Sequence, residues 1–165
     1  MCLAFGLLSA CSFQQPDQPS GTDHIEIALL YENCLDCAPI FLEPRGLAGN
    51  HDYCAAFVSY VLDRAEAVQP SVRSARAAHF VKPNSIEARH VIRGSYQVRK
   101  GDLIVWTKEF SHIGIATEDW EGLKGRTIEG NTTAPDSNVR GVFSKVRDFS
   151  PASYFRPRYV TNVSY

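Results

Sequence analysis

The chain lacks a dominant charge, a long apolar run and internal repeats. Its 17 Lys and Arg residues nearly balance its 18 Asp and Glu residues, so the formal net charge is −1. No electrostatic argument therefore favours nucleic acid or a strongly acidic partner. The apolar run at residues 1–10 is far shorter than the roughly 20 residues of a membrane-spanning helix. A length of 165 residues allows one domain with a proper core but not two large ones.

The N-terminal run ends in a pattern typical of exported proteins. Residues 8–11 read Leu-Ser-Ala-Cys, which resembles the bacterial lipobox, where a lipidated Cys becomes the first residue of the mature protein. The resemblance implies export and a membrane-anchored lipoprotein facing the periplasm or cell wall, with the lipid on Cys11. Residues 12–21 are polar, contain two prolines and predict a tether. No Lys or Arg precedes the run, so either the reading frame begins further upstream, as we expect, or the run is an ordinary buried segment.

The rest of the chain predicts helices first and strands second, which is an α+β arrangement. Predicted helices lie at residues 23–33, with Thr22 or Asp23 as the cap, at 53–67, with Asn50 or Asp52 as the cap, and at 74–79. Residues 34–49 contain two prolines and two glycines and predict a loop. An antiparallel meander is predicted from strands at residues 102–107, 113–117, 126–129, 139–146 and 155–160.

Cys54 lies in the first turn of the second predicted helix. Unpaired N–H groups and the positive end of the helix dipole favour a thiolate at that position. The helix is apolar nearly all round in its first half, which is typical of a helix inside a fold. A thiol that a buried helix holds rigidly in this way is a candidate nucleophile. The alternative is a small, inert, buried hydrophobic residue, which free cysteine often is.

Three polar residues follow on predicted strands. His112 begins an apolar strand in which Gly114 would let another backbone or a substrate come close. Glu129 and Asn131 fall on one face of an extended segment if alternation is regular. Either side chain is able to accept the imidazole N–H and set the tautomer of His112. A nucleophilic thiol needs such a base and a third group that orients it. The alternatives are a hydrogen-bonded histidine at a strand end and a turn at residues 130–132.

Four blocks in this order resemble the CHAP family of cysteine peptidoglycan hydrolases, relatives of the NlpC/P60 group with a papain-like core. The resemblance covers residues 23–149. Its blocks are residues 53–59, Tyr-Cys-Ala-Ala-Phe-Val-Ser; 100–105, Lys-Gly-Asp-Leu-Ile-Val; 111–115, Ser-His-Ile-Gly-Ile; and 128–132, Ile-Glu-Gly-Asn-Thr.

The resemblance implies a papain-like catalytic domain at residues 22–165, after a signal remnant and tether at residues 1–21. It implies hydrolysis of a peptidoglycan amide bond, as an N-acetylmuramoyl-L-alanine amidase or an endopeptidase, through a thioester. Cys54 would be the nucleophile, His112 the base and then the acid, Glu129 the orienting group and Asn131 a candidate fourth member. The Cys54 N–H and a neighbouring donor would bind the oxyanion. No metal or organic cofactor is implied; peptidoglycan and the membrane are the expected partners, and no nucleic acid is expected.

Two other interpretations remain open. Cys34, Cys37, His51 and Cys54 have spacings that superficially fit a four-ligand zinc site, although such a site explains none of the downstream blocks. Cys34 and Cys37 would otherwise form a local disulfide or remain thiols. A non-catalytic lipoprotein of the same fold that binds wall fragments is the second alternative, and the intact Cys54, His112 and Glu129 argue against it.

Several further residues have both a functional and a structural interpretation. Asp102 follows a glycine, so a turn at the start of a strand is preferred over a catalytic acid. Four aromatic residues would line a groove for a sugar or peptide, or pack in the core: Tyr53, Trp106, Phe110 and Trp120.

Overall fold

The computed structural model describes residues 23–49, 51–68, 71–81, 90–91, 97–106, 111–122, 124–148 and 159–161. These residues form three α-helices and one six-stranded antiparallel sheet, which confirms the α+β class. The helices are α1 (His24–Leu29), α2 (Ala38–Leu42) and α3 (Cys54–Arg64), and 3-10 turns cover Glu43–Arg45 and Ala77–Val81. The strands are β1 (His90–Val91), β2 (Leu103–Trp106), β3 (His112–Ala116), β4 (Lys124–Thr133), β5 (Arg140–Asp148) and β6 (Tyr159–Thr161).

The sheet has the strand order β1-β6-β2-β3-β4-β5. Strands β2 to β5 form the predicted meander, but β6 pairs with β2 instead of β5, so the meander prediction is wrong for the last strand. The hydrogen-bonding needs of the β2 backbone explain why β6 pairs with β2. Strand β2 is buried along its whole length, and buried N–H and C=O groups need partners on both edges. Pairing with β3 on one side and β6 on the other supplies them.

The predicted helix ends are too late in the chain. Asn33 and Glu66 have left-handed φ angles of 66° and 55°, a conformation that commonly follows the end of a helix. The chain therefore leaves the helical conformation before residues 33 and 67. The third predicted helix, residues 74–79, is a 3-10 turn shifted toward the C-terminus.

Helix α1 and the residues after it attach to two parts of the fold. The prediction of Asp23 as the cap is confirmed, because its Oδ1 accepts a hydrogen bond of 2.9 Å from the Ile25 N–H. Further on, the Asn33 N–H donates to the Val142 carbonyl at 2.8 Å, and the Val142 N–H donates to the Cys34 carbonyl at 3.0 Å. Residues 33–34 thus lie along the outer edge of β5.

The predicted loop at residues 34–49 is wrong in its middle, where α2 forms. Pro39 lies in the first turn of α2, where proline is tolerated because that N–H has no partner within a helix. Phe41 and Leu42 are buried in the core. Burial of these two side chains thus anchors a helix of only five residues in a segment whose prolines and glycines had indicated a loop.

Helix α3 is the buried centre of the molecule. Its first nine residues are all buried, and it packs against β3 and β4. A Cβ at Gly130 on β4 would lie 2.6 Å from the Phe57 Cβ, so glycine is what lets β4 approach the helix this closely. The cap prediction is wrong for Asp52, since Tyr53 is the N-cap and makes no side-chain capping bond; Asn50 lies outside the described residues.

Asp102 and the aromatic residues have structural roles. The Asp102 carboxylate accepts a hydrogen bond of 2.9 Å from the Arg99 N–H, which confirms the turn before β2. Tyr53, Trp106 and Trp120 are buried and belong to the packed interior. Phe110 lies outside the described residues.

Candidate active site

The start of α3 places Cys54 at the wall of a cleft. Cys54 is the first residue of the helix, so its backbone N–H has no carbonyl partner within the helix. Its side chain is buried, with 4% of the residue exposed. The cleft has a volume of about 500 Å³ and is also lined by residues from the start of β3 and from β4 and β5. That volume lies within the range of small-ligand sites.

The imidazole of His112 links the thiol to a carboxylate. Its Nε2 is 2.9 Å from Oε2 of Glu129, and the ring also forms a hydrogen bond with the Cys54 side chain. Because Nε2 is occupied by Glu129, Nδ1 is the nitrogen left for the sulfur. The ring of Trp106 meets the imidazole edge-on, with ring centroids 4.8 Å apart. Three of the four predicted site residues are thus brought into one chain of hydrogen bonds.

Glu129 is entirely buried and fully hydrogen-bonded. None of its side chain is exposed, and besides His112 it accepts a hydrogen bond of 2.5 Å from the Thr127 hydroxyl. The glycine on the neighbouring strand provides the space, because a Cβ at Gly114 would lie 2.8 Å from the Glu129 Cγ. A group does come close to Gly114, but it is the Glu129 side chain and not the backbone or substrate that was predicted.

Arg147, which no sequence motif indicated, completes the surroundings of Glu129. Its Nε lies 2.7 Å from Oε1 and its Nη2 also contacts Oε2, so the guanidinium binds both carboxylate oxygens. The guanidinium carbon is 5.0 Å from the centroid of the Trp106 ring, within the range of a cation–π contact. Nothing in the sequence near Arg147 marks it; the contact depends on the pairing of β4 with β5.

The electrostatics favour a charged pair at His112 and Glu129. Burial by itself would lower the pKa of His112, but its hydrogen bonds to Cys54 and Glu129 outweigh burial and raise the pKa to about 9. Burial would raise the pKa of Glu129, but His112 and Arg147 lower it to about 2. The imidazolium and the carboxylate are therefore the stable forms near neutral pH.

Asn131 lies in the same cleft but contacts other groups. Its Nδ2 donates to Asp52 at 2.7 Å, and its Oδ1 accepts from Arg140 at 3.3 Å. The regular alternation assumed for residues 129–131 is interrupted, because Asn131 has a φ of 55° and the register of β4 shifts between Glu129 and Thr132. Glu129, and not Asn131, is the residue that bonds the imidazole.

The three cysteines of the alternative zinc site have other partners. Cys34 and Cys37 form a disulfide with their Cα atoms 5.8 Å apart, while Cys54 bonds His112. Over the described ranges, no three His, Cys, Asp or Glu side chains are grouped as metal ligands would be. The four-ligand arrangement is therefore not formed.

Comparisons with known proteins return no match to a family model, a curated protein or a solved structure. Among the helices of the described part of the chain, none combines the length and the apolar character needed to cross a bilayer. The residues themselves must therefore carry the interpretation of the site.

Proposed function

We propose that this protein is a cysteine hydrolase of papain-like fold that cleaves an amide bond of cell-wall peptidoglycan. The observation that carries the proposal is the chain of hydrogen bonds from Cys54 at a helix start, through His112, to the buried Glu129. A nucleophile, a base and a group that orients the base are the parts required for acyl transfer. Peptidoglycan as the substrate rests on the resemblance of the four sequence blocks to the CHAP family.

The arrangement of the elements is consistent with a papain-like fold. The thiol begins a buried helix, and the imidazole begins a strand of the antiparallel sheet against which that helix packs. Because the two groups sit on different rigid elements, their distance is set by core packing and not by a loop. The oxyanion would be bound by the Cys54 N–H, which has no partner in the helix.

In the acylation step the sulfur of Cys54, as a thiolate, attacks the scissile carbonyl carbon and the C=O electron pair moves onto oxygen. The imidazolium of His112 then gives its proton to the leaving nitrogen. The C–N bond breaks as the carbonyl reforms, which releases an amine and leaves a thioester. Glu129 keeps the ring oriented throughout and stabilises its positive charge whenever the ring is protonated.

Deacylation uses the now neutral imidazole. His112 removes a proton from water while the water oxygen attacks the thioester carbonyl. The C–S bond breaks, the acyl group leaves as a carboxylic acid, and the thiolate–imidazolium pair is restored. Water supplies both the hydroxyl of the acid and the proton that returns to His112, so the cycle balances.

We also propose that the domain acts outside the cytoplasm and is anchored to a membrane by a lipid attached to Cys11. The support is the lipobox-like tetrapeptide and the polar tether, both of which lie outside the described residues. Ten tether residues reach at most about 35 Å when extended, so the domain would work close to its membrane. Detergent-phase partition and the mass of the mature N-terminal peptide test this; a water-soluble product that retains Met1 would contradict it.

The test of the activity is digestion of purified peptidoglycan, with the released fragments identified by mass spectrometry. We expect new fragments from the wild-type protein and none from Cys54→Ser. The control is Arg99→Ala, which removes an exposed side chain that does not line the cleft and should retain cleavage. The fragment masses also identify whether the bond at muramic acid or one in the peptide is cut. An absence of wild-type products, or equal activity in a folded Cys54→Ser protein, would overturn the proposal.

A further inference from the structure

The cleft contains a cation, Lys145, that is bound by no carboxylate of the described residues. Lys145 extends from β5 and its Nζ donates a hydrogen bond of 2.9 Å to the Thr133 carbonyl. The residue is half-buried and lines the same cleft as Cys54. Among the ion pairs of the described residues, none includes Lys145. The ammonium group thus has donor capacity left for a bound molecule.

The other charges that line the cleft have opposite partners. Arg147 is bound by the Glu129 carboxylate. Arg140 has Asp52 as its counter-ion, with 3.8 Å between Nη1 and Oδ1. Glu129 is shared by Arg147 and His112, and Asp52 pairs with Arg140, so Lys145 is a positive charge of the cleft to which neither carboxylate is bound. Neutral hydroxyl side chains make up part of the remaining wall, including Ser111 and Thr132.

We propose that Lys145 is the anchor of a carboxylate-binding subsite, which selects peptides that carry a free carboxylate beside the scissile amide. A half-buried ammonium gains more from an ionised acceptor than from a neutral one, since the two opposite charges attract directly and water screens them less there. The subsite and Cys54 share one cleft of about 500 Å³, so the carboxylate must lie within a residue or two of the reacting carbonyl. The proposal rests on the proposed function for its substrate, because the peptide stems of peptidoglycan carry such carboxylates.

The experiment compares two synthetic stem peptides that differ only at the carboxylate next to the cleaved bond, which is either free or a carboxamide. We expect the wild-type protein to show about a tenfold higher kcat/KM for the free carboxylate, mostly through KM. Lys145→Gln should lose this preference while cleaving the amidated peptide as the wild type does. The control is Lys124→Gln, because Lys124 is an exposed lysine on β4 that does not line the cleft.

A separate binding measurement distinguishes failure of this inference from failure of the proposed function. The dissociation constants of both peptides are measured by calorimetry on Cys54→Ala protein, with and without Lys145→Gln. If neither peptide is cut but the free carboxylate binds tighter through Lys145, the hydrolase proposal fails and the subsite stands. Equal kcat/KM values and equal dissociation constants for the two peptides with the wild-type residue at position 145 would overturn the subsite. So would an equal loss for both peptides in Lys145→Gln, which would mean that Lys145 only supports the cleft wall.

Discussion

Removing Arg147 should destabilise the protein and make its activity sensitive to acid. The guanidinium binds both oxygens of Glu129, whose side chain is fully buried, while the side chain of Arg147 itself is 20% exposed. Arg147→Ala would leave Glu129 with His112 and Thr127 as its partners. The carboxylate would then be a buried charge that is only partly compensated.

The expected loss of stability follows from that geometry. Removing one partner of a buried ion pair costs about 3–5 kcal/mol. Because Glu129 retains two hydrogen bonds, we expect a decrease in the free energy of unfolding at the lower end, about 3 kcal/mol. For a domain of this size each kcal/mol lowers Tm by roughly 2–4 °C, so Arg147→Ala should melt about 10 °C lower.

The pH dependence distinguishes this explanation from a general loss of packing. The pKa of Glu129 is lowered from 4.5 to about 2 partly by Arg147. Stability from the ionised carboxylate is fully present above its ordinary pKa and is lost as pH falls through its folded pKa. Without Arg147 that folded pKa rises, so the acid limbs of stability and of kcat/KM both move to higher pH. Arg147→Lys should retain part of the stability that Arg147→Ala loses and should shift the acid limbs less.

Thermal melts and pH–rate profiles are measured on Arg147→Ala and on Arg99→Ala as the control. Arg99 pairs with Asp119 at 3.1 Å, but both side chains are more than half exposed, and exposed pairs contribute about 0–1 kcal/mol. A change of Tm no larger than that of the control, together with an unmoved acid limb, would refute the role assigned to Arg147.

Four further outcomes follow from the same contacts. Cys54→Ala should lower hydrolysis by about 10⁴-fold or more at an unchanged Tm, since loss of the nucleophile removes the whole covalent route; a folded, active variant would contradict this. The raised pKa of His112, about 9, predicts that kcat/KM falls as pH rises through that value. Glu129→Gln should move this fall to lower pH and cost less activity than Cys54→Ala, and an unmoved alkaline limb would count against the pair. Gly130→Ala should lower stability by about 1–3 kcal/mol in denaturant titrations, because its Cβ would collide with Phe57; a neutral result would show that β4 can move away.

The features that could be predicted from the sequence are those that depend on neighbouring residues. The cap at Asp23 needs only the next turn of helix, and the turn before β2 needs only Gly101 and Asp102. The meander strands carry their own β-branched, apolar signal. Cys54, His112 and Glu129 were proposed together from the order of their blocks, and the fold does bring them together; their catalytic roles remain predictions.

The rest depends on contacts between distant residues, which local patterns do not contain. Arg147 reaches Glu129 only through the register of two long strands. The positive φ of Asn131 interrupts an alternation that the sequence alone makes look regular. The return of β6 to β2 satisfies a buried strand edge, and that need exists only once the sheet has formed.

The contact of residues 33–34 with β5 also affects how readily the protein associates with other chains at high concentration. An open sheet edge presents unpaired N–H and C=O groups and invites another chain to add a strand. Here both backbone groups of Val142 are taken up by Asn33 and Cys34, and the disulfide between Cys34 and Cys37 closes the chain directly behind them. Reduction of that bond would make residues 33–34 easier to detach from β5. The disulfide therefore helps to keep residues 33–34 on this part of the edge, and we expect protein kept under strong reductant to associate more readily than oxidised protein, which light scattering would measure.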